Sequence, residues 1–111
     1  MSEDDLEQLT TMLEALARIG FYLQAYDEAP FLDDQMCCDA VALNLLVTGE
    51  CARRLSEAVK LDLPAPWPQI IALRHRIAHG YSSLVPKRLW DTAHDHAPVL
   101  HRQVEAALEA R

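Results

Sequence analysis

The spacing of the N-terminal leucines restricts the fold of this chain more than any other feature. Successive members of the stripe lie three or four residues apart: Leu6, Leu9, Leu13, Leu16, Gly20 and Leu23. Such steps put side chains on one face of an α-helix, so they predict an amphipathic helix from about Asp4 to Tyr26. Because no segment shows the apolar–polar alternation of a strand, we expect an all-α protein.

A second helix is expected to begin after Asp33 or Asp34, either of which can serve as its N-cap, and to continue to about Leu61. Residues 40–47 of this helix, AVALNLLV, are apolar almost all the way round. A chain of 111 residues has little other protein to cover every face, which favours a symmetric homodimer. The alternative is a deeply packed central helix. Asn44 within the run needs a buried polar partner, which in a dimer could be its own copy.

Prolines divide the rest of the chain. Pro30 is expected to end the first helix, while Pro68, Pro86 and Pro98 each suit the first turn of a further helix. The sequence therefore predicts one domain spanning residues 1–111, an up-and-down bundle of four to five helices.

Composition limits the cellular setting. The three cysteines, Cys37, Cys38 and Cys51, are a poor disulfide framework, and we interpret them as reduced, buried thiols in a cytoplasmic protein. No apolar run reaches the roughly 18 residues that a membrane span needs. The acidic start MSEDDLEQL lacks the features of a secretory signal.

Charge is divided unevenly along the chain, whose formal net charge is −7. Residues 1–50 contain eleven acidic residues and one basic residue, whereas residues 51–90 contain seven basic and two acidic residues. An acidic protein repels phosphate in general, which argues against indiscriminate nucleic-acid binding, and we expect no DNA partner. We expect no membrane partner either, because no apolar run is long enough to span one. A basic patch on such a protein instead suggests a restricted phosphate site or an oppositely charged partner.

The candidate chemistry lies in the segment RHRIAHGY, which has the pattern R-x-x-x-x-H-x-Y. Arg74 is a permanent cation that can grip a phosphate through two N–H groups, and His79 can move a proton near neutral pH. Tyr81 adds a hydroxyl. No Asp or Glu lies between Pro64 and Arg88, so no nearby residue in the sequence neutralises Arg74.

One regular helix cannot aim Arg74 and His79 at the same phosphorus atom. Five residues of helix turn their side chains about 140° apart and separate them by about 7.5 Å along the axis. Two remedies are compatible: the helix ends or distorts near Gly80, or two chains related by a dyad share the site.

Structural interpretations remain open for the same residues. Arg74 can be a surface cation, His79 a hydrogen-bonded histidine and Tyr81 a half-buried tyrosine. His75 and His79 are four residues apart, the spacing of two metal ligands on a helix, but a third ligand is missing and no metal is expected. Arg53 and Arg54 can either extend a phosphate patch or form a solvated face, and the same alternatives hold for Lys87 and Arg88.

The segment PAPWPQIIALRHRIAHGYSSLVPKRLWDTAHDHAPVL strongly resembles the central segment of HepT toxins, which belong to the wider group of small helical HEPN domains. Two other segments, LTTMLEALARIGFYLQAY and LVTGECARRL, resemble that family's first and second helices. In one respect the motif departs from the family pattern, because His75 stands where an asparagine is usual. His75 could substitute for it, add a second proton donor or weaken catalysis.

The resemblance implies a homodimer that cleaves RNA without a metal or any other cofactor. Arg74 and His79 match the catalytic pair. Separately from the resemblance, the basic residues His75, Arg76, Arg53 and Arg54 are our candidates for supporting this pair by binding phosphate. Tyr81 would match the tyrosine that an MntA-like nucleotidyltransferase antitoxin modifies with AMP from ATP. This first hypothesis is an endoribonuclease toxin of a toxin–antitoxin system.

The second hypothesis is a non-catalytic helical binding module. It would partner a minimal nucleotidyltransferase and hold a nucleotide or phosphate with the same Arg–His pair. A third is a structural dimer that has lost activity through His75.

Overall fold

Helices account for all of the regular structure in the computed structural model, which describes residues 1–111. Their bounds are α1 Glu3–Leu23, α2 Glu28–Leu32, α3 Gln35–Arg54, α4 Glu57–Asp62, α5 Trp67–Gly80, α6 Pro86–Asp91 and α7 Ala97–Glu109. A 3₁₀ turn, Tyr81–Ser83, follows α5, and a π-helical turn, Thr92–His96, joins α6 to α7. The predicted all-α class is confirmed, with four long helices, α1, α3, α5 and α7, forming the bundle.

Helix α3 lies at the centre of this arrangement, packed between α1 and α5, while α7 packs on α1 and α6 closes against α2 and α3. The core of the bundle contains large, fully buried side chains, among them Leu9, Met12, Ile19, Phe31, Val41 and Val104. The molecule measures 41 × 28 × 19 Å, so its thinnest dimension is no more than about two helices deep. No helix is both long and apolar enough to cross a bilayer.

The first helix begins as predicted but ends earlier. Ser2 is its N-cap, because the Ser2 hydroxyl accepts a hydrogen bond from the Asp5 amide at 3.0 Å. The helix ends at Leu23, and Pro30 does not end it, which corrects the prediction. Pro30 instead occupies the third position of α2, where the backbone N–H that proline lacks would have no partner inside the helix.

The second predicted helix is two helices. Asp34 caps α3 by accepting from the Cys37 amide at 3.0 Å, as expected, but α3 ends at Arg54. Buried Asp5 of α1 accepts from the amide and the hydroxyl of Ser56, at 2.9 and 2.7 Å. Because these bonds take the Ser56 backbone out of the helical ladder, Ser56 becomes the N-cap of α4.

The predicted last helix begins close to Pro98 but is not preceded by a loop. Pro98 is the second residue of α7, which continues directly from the π-helical turn. In this turn the Ala97 amide bonds to the Thr92 carbonyl five residues earlier. The turn also carries His94 onto the face of Trp90, with ring centroids 4.8 Å apart.

Asn44 is buried and paired with polar groups, as predicted, but its partners are in the same chain. Its side-chain oxygen accepts from the Nε of Arg18 in α1 at 2.9 Å, and its amide nitrogen donates to the Ala40 carbonyl. The three cysteines are free and buried, in agreement with the prediction for them.

Candidate active site

Arg74 projects from α5 towards α3, where the two helices approach unusually closely. A Cβ placed on Gly49 of α3 would lie 2.2 Å from the Cβ of Arg74 and 3.1 Å from the carbonyl oxygen of Ile70. Only glycine leaves room for this crossing. As a result the Arg74 side chain is 25% exposed, and its Nε is buried without a hydrogen-bond partner.

Glu50, next to that glycine, is the central anion of the site and was not among the predicted residues. Its carboxylate lies 3.0 Å from the Arg74 Nη2, 2.7 Å from Arg53 and 3.1 Å from Arg54. The hydrogen bond from Arg53, aided by the charges of the other arginines, lowers the pKa of Glu50 to about 2 even though desolvation opposes the shift. Glu50 is therefore ionised at neutral pH, and three arginines around one carboxylate leave a net charge of about +2.

The Arg74 guanidinium is consequently less free than the sequence indicated. No acidic residue lies near Arg74 in the sequence, but the crossing of α3 and α5 brings the Glu50 carboxylate into contact with the Arg74 guanidinium. The three- and four-residue steps from Glu50 to Arg53 and Arg54 predict local ion pairs on a helix. The Arg74 contact has no such local signal, since it joins residues on different helices.

His79 lies in the last turn of α5, with its side chain in solvent. His75, one turn earlier, is exposed as well, and the two rings are 4.6 Å apart. Helix α5 runs without a break through both histidines to Gly80, so Arg74 and His79 keep the divergence of about 140° of a regular helix. No hydrogen bond joins His79 to Arg74 or Tyr81, and a distortion at Gly80 comes too late in the chain to bring them together.

Tyr81 opens the 3₁₀ turn and is half-buried. Its hydroxyl donates to Asp39 of α3 at 2.5 Å, and Asp39 also accepts from Gln35 at 2.7 Å. Burial, reinforced by the bond to Asp39, raises the pKa of Tyr81 well above its usual range. The same two hydrogen bonds, with that from Tyr81 the stronger, lower the pKa of Asp39. Sequence reasoning did not single out Asp39, since 42 residues separate it from Tyr81.

The remaining predicted residues divide into two groups. Arg53 and Arg54 join Arg74 through Glu50, as a phosphate patch would require. Arg76 and His75 are exposed on α5 and have no hydrogen bond or ion pair with that cluster. No three His, Cys, Asp or Glu side chains lie close enough together to hold a metal ion.

An exposed apolar stripe on α3 leads directly to the Glu50 cluster. Met36 is 82% exposed and Leu43 is 61% exposed, which is unusual for large apolar side chains. Steps of seven, seven and four residues connect Met36, Leu43, Glu50 and Arg54, so all four lie on one face of α3.

Comparison with known proteins identifies the family of this helical bundle. Residues 12–107 match the family model described as "Ribonuclease HepT-like". The chain belongs to the HepT-like ribonuclease family.

Two named relatives are similar over nearly the whole chain. The chain is 25% identical over 107 residues to "Putative RNase MJ1380" of Methanocaldococcus jannaschii, covering 95% of this chain and 98% of the relative. It is 24% identical over 108 residues to "Putative RNase TTE0752" of Caldanaerobacter subterraneus, covering 96% of this chain and 90% of the relative. No solved structure matches the chain.

Proposed function

We propose that this protein is a metal-independent endoribonuclease toxin of a toxin–antitoxin system. In this proposal Arg74 and His79 from two copies of the chain form one cleft. The observation that carries the proposal is the placement of the two side chains on α5. Arg74 is held against α3 in a cationic cluster, whereas His79 points into solvent about 140° away. A second copy that presents its own His79 to the Arg74 cluster would complete a site that one chain leaves divided.

The chemistry follows from the groups available. His79 near a phosphodiester would take the proton of the neighbouring 2′-hydroxyl, or protonate the departing 5′-oxygen. Arg74 would stabilise the charge that develops on the pentacovalent phosphorus. Two copies supply two histidines, so one can act as the base and the other as the acid.

Glu50 has a defined part in this arrangement. Its ionised carboxylate holds one terminal nitrogen of Arg74, and the terminal N–H groups that do not contact Glu50 would donate to phosphate, while the Nε–H stays buried. Arg53 and Arg54 would bind the flanking phosphates, because both side chains are more than half exposed while they contact Glu50.

The exposed stripe on α3 is the proposed contact between the copies. It is apolar, it belongs to the helix whose sequence first suggested a dimer, and it shares a face with Glu50 and Arg54. Leu43→Glu should therefore give a monomer in sedimentation velocity and abolish RNA cleavage. The matched control is Val99→Glu on α7, because α7 packs on α1 away from this face. The Val99→Glu protein should remain dimeric. A dimeric, active Leu43→Glu variant would contradict this interface.

The test of catalysis uses the purified protein and labelled single-stranded RNA in the presence of a chelator. We expect cleavage by the wild type and a loss of about 100-fold or more in Arg74→Ala and in His79→Ala. Arg102→Ala and His96→Ala, on exposed side chains outside the motif, are the matched controls. Expression of the wild type, but not of the two motif variants, should also arrest bacterial growth. Full activity in both folded motif variants would exclude the mechanism.

Silencing belongs to the same proposal. An MntA-like nucleotidyltransferase antitoxin would transfer AMP from ATP to Tyr81, which adds phosphate charge and bulk next to the cleft. We expect one or more AMP masses on the peptide that contains Tyr81 after incubation with the antitoxin and ATP, and none in Tyr81→Phe. If toxicity falls while Tyr81 stays unmodified, the antitoxin silences the toxin by docking alone.

A second function is favoured by the ion pair itself. Because Glu50 already occupies part of the Arg74 guanidinium, the cluster could hold a phosphate without cleaving it. In this alternative the protein is a non-catalytic module that binds a minimal nucleotidyltransferase and its nucleotide. Binding of labelled RNA or nucleotide without products in the chelator assay would support it.

A further inference from the structure

Two tyrosines of this chain donate their hydroxyl protons to aspartates. Tyr81 donates to Asp39, and Tyr26 donates to Asp34. In the second pair, Asp34 is also the N-cap of α3 and accepts from the Cys37 amide, so that pair has a structural task. Asp39 caps no helix.

The environment of Asp39 is that of an available proton acceptor. It lies on the exposed side of α3, and Tyr81 and the Gln35 amide are its two hydrogen-bond donors. No arginine or lysine pairs with it, so no cation competes for its lone pairs. The pKa of Asp39 is lowered by those hydrogen bonds, which keeps the carboxylate ionised at neutral pH.

The same hydrogen bond orients Tyr81 for attack on an electrophile. The phenolic proton points at Asp39 Oδ1, which lies 2.5 Å from the phenolic oxygen, so the lone pairs of that oxygen point away from the carboxylate. A hydroxyl whose proton is already directed at a base can pass that proton on as it attacks, so it does not have to ionise first. This matters for Tyr81, because its raised pKa leaves almost no free phenolate at neutral pH.

We propose that Asp39 is the proton acceptor for modification of Tyr81 by a nucleoside triphosphate, so that the modified chain itself supplies the base. This inference depends on the silencing reaction in the proposed function. The Tyr81 oxygen attacks the α-phosphorus, the new O–P bond forms, the bond to pyrophosphate breaks, and the phenolic proton moves to Asp39.

The reaction also removes the contact that prepared it. The product has no phenolic proton to donate, and its phosphodiester carries a negative charge close to where the Asp39 carboxylate lies. Like charges at that distance repel, so the modified side chain should leave Asp39 and the 3₁₀ turn should lose its tie to α3. Attachment of the nucleotide is thereby coupled to a change in the segment that follows His79.

The experiment separates Asp39 from any partner by using an activated nucleotide without an enzyme. Wild-type protein is incubated with adenosine 5′-phosphorimidazolide, and adenylylation of Tyr81 is followed by mass spectrometry. In Asp39→Asn, whose amide oxygen keeps a hydrogen-bond acceptor but is not basic, the rate at Tyr81 should fall about 100-fold. Asp34→Asn is the matched control, and the rate at Tyr81 should stay within about twofold of the wild type there.

The pH profile distinguishes a base from a structural support. The ratio of the wild-type rate to the Asp39→Asn rate is the quantity to follow, because protonation of the leaving imidazole affects both proteins equally and cancels in the ratio. Between about pH 5 and pH 8 this ratio should fall about tenfold for each pH unit, because Asp39 stays ionised in the wild type while only free phenolate reacts in Asp39→Asn. Equal rates and equal profiles in the two proteins would overturn the proposal. Circular dichroism of each variant confirms that the helices remain.

A second arm uses a purified MntA-like nucleotidyltransferase and ATP. Wild-type protein that is never modified in this arm would contradict the proposed silencing, while the enzyme-free arm still decides the role of Asp39. Modification of Asp39→Asn at the wild-type rate in both arms would show that Asp39 is not the base. A loss in both arms, with Asp34→Asn unaffected, is the expected result.

Discussion

Gly49→Ala tests whether the crossing of α3 and α5 sets the position of Arg74. The new methyl carbon would lie 2.2 Å from the Arg74 Cβ, and that atom cannot swing aside because it is attached to the backbone of α5. Restoring an ordinary carbon–carbon contact of about 3.4 to 4.0 Å requires the helices to separate by about 1.2 to 1.8 Å. Overpacking of this kind costs about 1 to 3 kcal/mol.

The expected net change includes a gain that works in the other direction. Replacing glycine by alanine inside a helix stabilises it by about 1 kcal/mol. The difference between the two effects is a net cost of about 0 to 2 kcal/mol. Since the clash is deep, we expect Gly49→Ala in the upper half of that range, about 1 to 2 kcal/mol, which lowers Tm by roughly 4 to 8 °C in a domain of this size. A displacement of about 1 Å at a catalytic group can cost about 100-fold in rate, so RNA cleavage should fall more than stability alone explains.

The chain contains its own control for this experiment. A Cβ added to Gly20 in α1 would have nothing within 4 Å, so Gly20→Ala should raise Tm by roughly 4 °C through helix propensity and leave cleavage unchanged. Differential scanning calorimetry and the chelator cleavage assay measure both effects. If Gly49→Ala matches Gly20→Ala in stability and activity, the crossing does not position Arg74.

Three further perturbations test other contacts. The pKa of Glu50 is about 2 in the folded protein, below its ordinary 4.5, so its ionised form contributes stability that is complete above pH 4.5 and is lost as the pH falls towards 2. In Glu50→Gln the midpoint of urea unfolding should therefore depend less on pH in this window. An unchanged dependence on pH would contradict the reasoning. Asp5→Ala leaves the Ser56 amide without its acceptor and should cost about 1 to 3 kcal/mol in urea unfolding, so a cost near zero would mean that water replaces Asp5. Phe31→Ala removes a fully buried ring that packs against Trp90 and should lower the free energy of unfolding by about 3 to 5 kcal/mol. Phe31→Leu, which fills more of the site, should lower it by no more than about half as much.

Local signals in the sequence predicted the helices where the signal and the structure share the same few residues. The predicted Asp34 cap is confirmed, and Ser2 caps α1 in the same way, because each side chain bonds to an amide three residues away. The break at Ser56 was missed because its cause, Asp5, lies 51 residues earlier in the chain. Pro30 was misinterpreted because proline ends a helix only when the missing N–H was needed, and in the first turn it is not.

The candidate site shows the same division. The R-x-x-x-x-H-x-Y motif identified Arg74, His79 and Tyr81 by residue type and spacing, but spacing cannot indicate what another helix places beside them. Glu50 and Asp39 enter the site only because α3 crosses α5 and its following turn.

By itself, the sequence determined the helical class, the caps and the residues able to do chemistry, because these depend on the period of apolar side chains and on the intrinsic properties of each group. Tertiary structure alone decided which carboxylate faces each of these groups and which face of α3 remains uncovered. Such contacts join residues 24 to 51 positions apart, and their geometry follows from packing whole helices against each other.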